Sequence, residues 1–512
     1  MNTVDTIAAD KAAKREWVDR INPIVIKECR QALKGKQFRN WFLTVLGICV
    51  LIAILSTQDL QTVDGTDIFP WYFGCIAILA LVIVPRGAFT SISNELDEGT
   101  WDLIAISPLT TAAIVRGKLV GTFVQSLLFL SGIFPFLAFS YFMRGINLQM
   151  ALVGVIALLG LSIVSSMLSI AIAAIAPSKR IRAVVGTLLL MFLAYCAITS
   201  SVAVNFSLKL GFFGPLIMMA TDPKHFWGIL ATIILMTATY LHLLYHISVS
   251  CLSFPSANKS TAIRTSLTIQ CVLWVGSFTY YFLNESIGNR GSEYILIALL
   301  PLFAQMFLVG TFTATESSQI SRRVARKLPR NGIRGAVALF FYPGGFRGYL
   351  FFITMVIATG AAGIWLVDQS SSPLIGSIWT HPTAAPILLS ASYLLIFISL
   401  PVAALLLFPK RTTPFMRRII VFLTLALASI APVFLFLLHD GRVTRNDEFR
   451  LLLTNPFYNI AISTEPWSGG FKASPPAIDD RVVGTLVTAA VLTVLTLIIF
   501  ILKSRRRSAG RA

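Results

Sequence analysis

Residues 70–86 read PWYFGCIAILALVIVPR, residues 87–118 read GAFTSISNELDEGTWDLIAISPLTTAAIVRGK, and residues 119–142 read LVGTFVQSLLFLSGIFPFLAFSYF. The first and third pieces are apolar, and as helices rising about 1.5 Å per residue each is about long enough to cross a hydrocarbon core of about 30 Å. The middle piece is polar and carries charge. Two membrane spans joined by a loop follow, and the pattern extends in both directions. Spans are expected at roughly 41–57, 70–86, 119–142, 149–176, 183–204, 226–249, 265–283, 294–312, 348–367, 386–408, 419–438 and 482–502. All should be helices, because lipid offers no partner to an open backbone group. The predicted fold is an all-α polytopic membrane protein of about twelve transmembrane helices.

Composition and charge agree. Of 512 residues 56% are apolar and 13% charged, and the mean hydropathy is +0.77. A soluble domain does not need so much apolar surface. Placing both termini in the cytoplasm leaves only Arg144, Lys209, Lys224, Arg290, Arg442, Arg445, Arg450, Lys472 and Arg481 in outer loops, out of 42 Lys and Arg. That is the positive-inside bias of a multi-pass inner-membrane protein. It accounts for the net charge of +19 through anionic headgroups rather than nucleic acid. The first forty residues contain Asp5, Asp10, Glu16, Asp19 and Glu28 without an early apolar core, so they read as a cytoplasmic segment rather than a signal peptide. Cys49, Cys75, Cys196 and Cys271 fall in spans and Cys29 and Cys251 at the inner face, so no disulfide is expected.

Four stretches organise the chain: a cytoplasmic segment 1–40, a six-helix half 41–250, a diverged six-helix half 251–502, and a basic tail 503–512. Loops 87–118 and 313–347 share a side and are similar in length. Phe213-Gly214-Pro215-Leu216-Ile217 and Asn455-Pro456-Phe457-Tyr458-Asn459-Ile460 both precede the last span of their half. Two repeats in parallel orientation are therefore expected.

Two absences constrain function. None of the twelve spans contains Asp or Glu, whereas ion-coupled carriers usually keep ionisable groups at membrane depth. No G-x-x-x-x-G-K-[ST] occurs, since Gly35-Lys36 and Gly117-Lys118 lack the rest of the motif. If ATP drives this protein, a separate chain hydrolyses it and no cofactor is bound here.

Two cytoplasmic segments are suited to contact. In the first, Ile21, Ile24, Val25, Cys29, Ala32 and Leu33 form a stripe at helical spacing. Asn22 would cap that helix, Pro23 suits its first turn, and Lys27, Arg30, Lys34 and Lys36 occupy its other faces. It reads as an amphipathic helix on the inner leaflet, whether a membrane anchor only or a partner's neighbour. In the second, Ser91 to Lys118, there is no Lys or Arg before Arg116. On one helix Glu95, Glu98 and Asp102 share a face, while Ile92, Leu96 and Leu103 share another. That acidic face suits a basic groove on a partner better than anionic lipid, with a solvated acidic turn as the alternative. Ser107-Pro108 should end the helix.

The segment Asn22-Pro23-Ile24-Val25-Ile26-Lys27-Glu28-Cys29-Arg30 resembles the opening of permease subunits of type 2 ABC transporters. Glu95, Gly99-Thr100, Leu103, Ser107-Pro108-Leu109 and Gly117-Lys118 resemble that family's E-x(3)-G-T-x-x-L-x(4)-P-L followed by G-K. The likeness covers residues 20–250. It implies an ABC exporter membrane subunit in which Glu95, Glu98, Gly99, Thr100, Asp102, Leu103, Pro108, Gly117 and Lys118 dock a separate P-loop ATPase, in two copies. Asn22, Pro23, Lys27, Glu28 and Arg30 would flank that contact.

The chain departs from the six-span pattern of that family. Its second loop has Glu316 followed by Arg322, Arg323, Arg326, Lys327, Arg330 and Arg334, a basic cluster that reads as a lipid-facing rim. A fused, double-length permease supplying both halves of a pore, or a homodimer, is implied. An ion-coupled secondary carrier and an intramembrane lipid-modifying enzyme are the alternatives. His242 and His246 are one turn apart but lack further ligands, so packing or hydrogen bonding is expected. Gln125, Gln270 and Gln305 should bond neighbouring helices or line a cavity.

Overall fold

An apolar run in lipid satisfies its backbone within itself, and the computed structural model of the chain consists of helices with no strand among the described residues. It describes residues 23–58, 64–143, 146, 148–210, 223–254, 256–284, 291–316, 320–329, 332–369, 381, 383–407, 413–438, 454–464 and 475–509. Ten of these helices are long and apolar enough to cross a membrane, as in an all-α multi-pass membrane protein. The expected spans 265–283 and 294–312 are also helical, at Thr261–Asn284 and Gly291–Ala314. The first falls outside the ten because it opens with Thr261, Arg264, Thr265, Ser266, Thr268 and Gln270. The second carries the apolar stretch Ala298–Ala314, and Tyr294-Ile295-Leu296-Ile297 ahead of it extend the run to about what a crossing needs.

Packing divides the chain into two units, Met1–Ser253 and Phe254–Ala512. The first contains α1 (Pro23–Lys34), α2 (Lys36–Gln58), α3 (Gly65–Asp97), α4 (Thr100–Ile106), α5 (Thr111–Phe142), α6 (Leu148–Ile175), α7 (Lys179–Leu210) and α8 (Pro223–Leu252). Helix α3 is its centre, with 78% of its most apolar window buried against 17% for α2. It packs on α5, α6 and α7; α6 packs on α8, and α2 on α5. Midway along α3, Leu79–Ile83 forms a π-helical turn. Ser162 of α6 donates to the Ala80 carbonyl there at 2.8 Å and stands 2.9 Å from Ser126 of α5, so a polar contact secures the irregular turn.

The second unit contains α9 (Thr261–Asn284), α10 (Gly291–Ala314), α11 (Arg322–Arg326), α12 (Gly332–Phe341), α13 (Gly345–Gln369), α14 (Ala384–Leu407), α15 (Pro414–Leu438), α16 (Pro456–Thr464) and α17 (Pro475–Ala509). Helix α10 packs on α13 and α14; α14 packs on α13, α16 and α17; and α9 packs on α13. Of the two expected Pro-containing outer segments, the one at 213–217 lies outside the described residues. The other forms α16, preceded by Asn455, whose Nδ2 donates to the Ser429 carbonyl at 2.9 Å.

Candidate functional site

Helix α3 continues about three turns past the apolar run that ends at Arg86, so it brings Ser91, Glu95 and Asp97 onto a stem whose other face, Ala88, Phe89 and Ile92, is buried in the core. The stem ends at Gly99, whose φ of +71° lies in the left-handed region that favours glycine. Thr100 donates from its hydroxyl to the Glu95 carbonyl at 3.3 Å, tying the new chain direction to the stem. Helix α4 follows, anchored by buried Trp101 and closed by Ser107, whose Oγ donates to the Ile104 carbonyl at 2.6 Å. Ser107 is extended ahead of Pro108, as the residue before proline prefers. Thr110 then caps α5 by accepting from the Ala113 amide at 3.2 Å.

This turn separates residues that one continuous helix would have aligned. Glu95 and Asp102 do not share a face, because Gly99 breaks the helix between them. Glu98, Asp102, Leu103 and Pro108 are exposed. Leu103 is 72% and Ile106 77% exposed, the apolar tip of a polar loop. Glu95 turns the other way, into the protein.

There it meets the rest of the motif. Lys118 of α5, 3% exposed, donates to Glu28 Oε1 of α1 at 2.8 Å, to Glu95 Oε1 of α3 at 2.9 Å and to Ser91 Oγ at 2.5 Å. The Ser91 hydroxyl in turn donates to Glu28 Oε2 at 3.3 Å. Lys27 of α1 adds a longer contact of 3.5 Å to Glu95 Oε1. One buried ammonium thus binds two carboxylates, and three helices are fastened at one point. The approach of α1 to α5 needs a small residue: a Cβ on Gly121 would stand 2.9 Å from the Glu28 Cβ. Helices α1, α3 and α5 border a cavity of about 640 Å³ lined by Lys27, Glu28, Asn94, Glu95, Lys118 and Gln125 among others. Glu95 Oε2 is buried without a hydrogen-bond partner.

Of the remaining expected residues, Pro23 and Arg30 are exposed on α1 and Gly117 is buried beside Lys118. Asn22 lies outside the described residues. Leu33, expected in the apolar stripe, is exposed, whereas Ile24 is buried. Two functional partners escaped the sequence reading. Ser91 has no motif to mark it. Arg182, at the start of α7, pairs with Asp97 and donates to the Ala176 carbonyl at 3.1 Å; in the sequence it is one cation of Lys179-Arg180-Ile181-Arg182, 85 positions from Asp97, and nothing there marks the pair.

The second unit has its own buried cluster. Arg264 of α9, fully buried, donates from Nη1 to the Phe340 and Tyr342 carbonyls at 2.8 and 2.7 Å, and from Nη2 to Glu316 Oε2 at 2.7 Å. Glu316 also accepts from the Gly344 amide at 3.0 Å. Burial pushes the Glu316 carboxyl up, and the Arg264 guanidinium pulls it back. Within α9 and α10, Gln270 and Gln305 bond reciprocally at 3.1 and 2.6 Å. His242 and His246 place their Nε2 atoms 3.1 Å apart, and no group of three metal-ligating side chains occurs among the described residues. No protein-family model, curated protein or solved structure matches this chain.

Proposed function

We propose that this chain is the membrane-spanning permease subunit of an ATP-driven ABC export system, with ATP hydrolysed by a separate P-loop ATPase chain. The observation that carries the reading is the joint placement of the motif residues. Glu28, Glu95 and Lys118 meet in one buried ion cluster, and directly beyond it α4 holds Leu103 and Ile106 out to solvent. Exposed apolar side chains on a short, anchored helix mark a contact surface rather than a solvated turn, and exposed Glu98 and Asp102 suit a basic rim around it. A push on α4 passes through Thr100 and the stem into α3, the most buried apolar helix of its unit, and through Lys118 into α5. The permease performs no covalent chemistry and binds no nucleotide.

Twelve spans in two parallel six-helix halves, with both termini cytoplasmic, complete the reading. In each half the second helix packs on the third and fourth, the fourth on the sixth, and the first on the third. Equal packing at equal positions supports a repeat that the residues alone leave faint. The second half then acts as a diverged counterpart, with a basic loop in place of the acidic one.

The test is a pull-down from detergent-solubilised membranes comparing the native chain with Leu103→Asp/Ile106→Asp. These positions are exposed, so the variant leaves the buried cluster intact. Recovery of a P-loop ATPase by the native chain, at least tenfold reduced in the variant, is expected. Equal recovery would remove α4 as the docking element. Failure of any ATPase to copurify, even after cross-linking, would overturn the transporter reading itself.

A further inference from the structure

The second unit gathers its cations where an anionic surface would meet them. On α11, Arg322, Arg323 and Arg326 are exposed, as is Lys327 after it. Next in the chain, α12 buries Ala338 but holds Ile333, 84% exposed, and Val337, 49% exposed, away from the protein. A short helix with an uncovered apolar face beside a row of cations is the pattern of an interfacial helix. The two elements are linked through Tyr342. Its hydroxyl donates to the Lys327 carbonyl at 3.4 Å, while its carbonyl accepts from buried Arg264. Behind them lies the buried ion pair of α9. Glu316 is the carboxylate to which Arg264 is bonded, Arg418 also acts on it, and Arg347 acts on Arg264. Arg347 Nη1 is buried without a partner. Arg264 and Arg418 thus both act on the Glu316 carboxylate.

We propose that α11, Lys327 and α12 form a binding surface for anionic phospholipid headgroups, held in place from behind by the buried Arg264–Glu316 pair. It lies at the membrane face that the charge bias assigns to the cytoplasm. Lipid is favoured over an acidic protein groove because the cations accompany an apolar face of the kind that enters the headgroup–acyl boundary. Each cation at an anionic membrane surface contributes about 1 kcal/mol, or about fivefold in affinity. The inference depends on the membrane placement of the chain and not on an ATPase partner.

The full chain carrying Ile333→Cys is reconstituted in nanodiscs of phosphatidylcholine alone and of equal parts phosphatidylcholine and phosphatidylglycerol. Maleimide labelling of the peptide bearing residue 333 is followed by mass spectrometry. Labelling at least about fivefold slower with phosphatidylglycerol is expected, and this protection should be lost in R322Q/R323Q/R326Q and weakened by salt. Equal rates in the two discs overturn the proposal. So does equal protection by inorganic phosphate in phosphatidylcholine discs, which would mean a free-anion site. Protection that appears only on adding a P-loop ATPase would mean a protein interface and overturns it as well. If the triple variant fails to fold, the phosphatidylglycerol titration of Ile333→Cys still decides.

Discussion

Lys118 holds the first unit's charge cluster at a single atom. Its Nζ reaches Glu28, Ser91 and Glu95 within 2.9 Å while only 3% of the side chain is exposed. Removing one member of a buried ion cluster leaves the others desolvated and uncompensated, a loss of roughly 3–5 kcal/mol. Lys118→Met should cost about that in detergent unfolding titrations. Adding Glu28→Gln and Glu95→Gln to it should recover much of the loss, because the stranded charges are then gone. A loss under about 1 kcal/mol for the single variant would mean that water compensates the carboxylates. The residue types in this cluster were legible, since Glu28, Glu95 and Lys118 each stand in a motif. Their contact was not. Lys118 lies 90 positions from Glu28 and 23 from Glu95, and local spacing says nothing about pairs that only packing brings together. For the same reason Glu95 reads on a helical wheel as part of an outward acidic face, whereas Gly99 breaks that helix.

Among the elements, α3 departs most from its plain sequence. The run 70–86 reads as a simple span, yet the helix extends from Gly65 to Asp97 and passes through a π turn at Leu79–Ile83. Leu-Ala-Leu-Val-Ile contains no residue that marks an irregular turn, so the feature was invisible to a reading based on periodicity and breakers. What secures it comes from elsewhere, as the Ser162 hydroxyl on α6 donates to the Ala80 carbonyl. Ser162→Ala should cost about 0.6–1.7 kcal/mol, the range for hydrogen bonds between membrane helices. It should also speed amide exchange over residues 79–84 relative to the rest of α3. Unchanged exchange there would mean that the turn is held by apolar packing alone. The effect belongs to the stem that carries α4. If α4 docks an ATPase, the variant should also lower transport-coupled ATP hydrolysis without reducing ATPase recovery.

For the whole molecule, the positive-inside bias, the apolar runs and the helical class were all readable from composition and order. The number of crossings is where sequence and structure separate. Helices α9 and α10 exist where spans were expected, but polar residues in α9 keep it outside the ten clear candidates, whereas α10 is apolar from Tyr294 to Ala314 with Gln305 in its middle. Buried pairing offers a reason both can still cross. Gln270 and Gln305 satisfy each other in the protein interior, so these polar groups need not face lipid. Single cysteines at four positions separate the arrangements, with labelling by an impermeant maleimide in sealed vesicles of both orientations read at the peptide concerned. Twelve crossings in parallel halves require Leu103→Cys and Arg326→Cys to label from the cytoplasmic side, and Phe142→Cys and Asn284→Cys from the other. Opposite sides for 103 and 326 would mean an odd number of crossings between them and end the parallel repeat. Asn284→Cys reacting from the cytoplasmic side, with 103 and 326 still sharing it, would make α9 and α10 a pair that does not cross and reduce the protein to ten spans. In that arrangement the basic loop stays on the cytoplasmic side and keeps its lipid, but the second half loses its correspondence with the first and a single chain no longer supplies two equivalent halves.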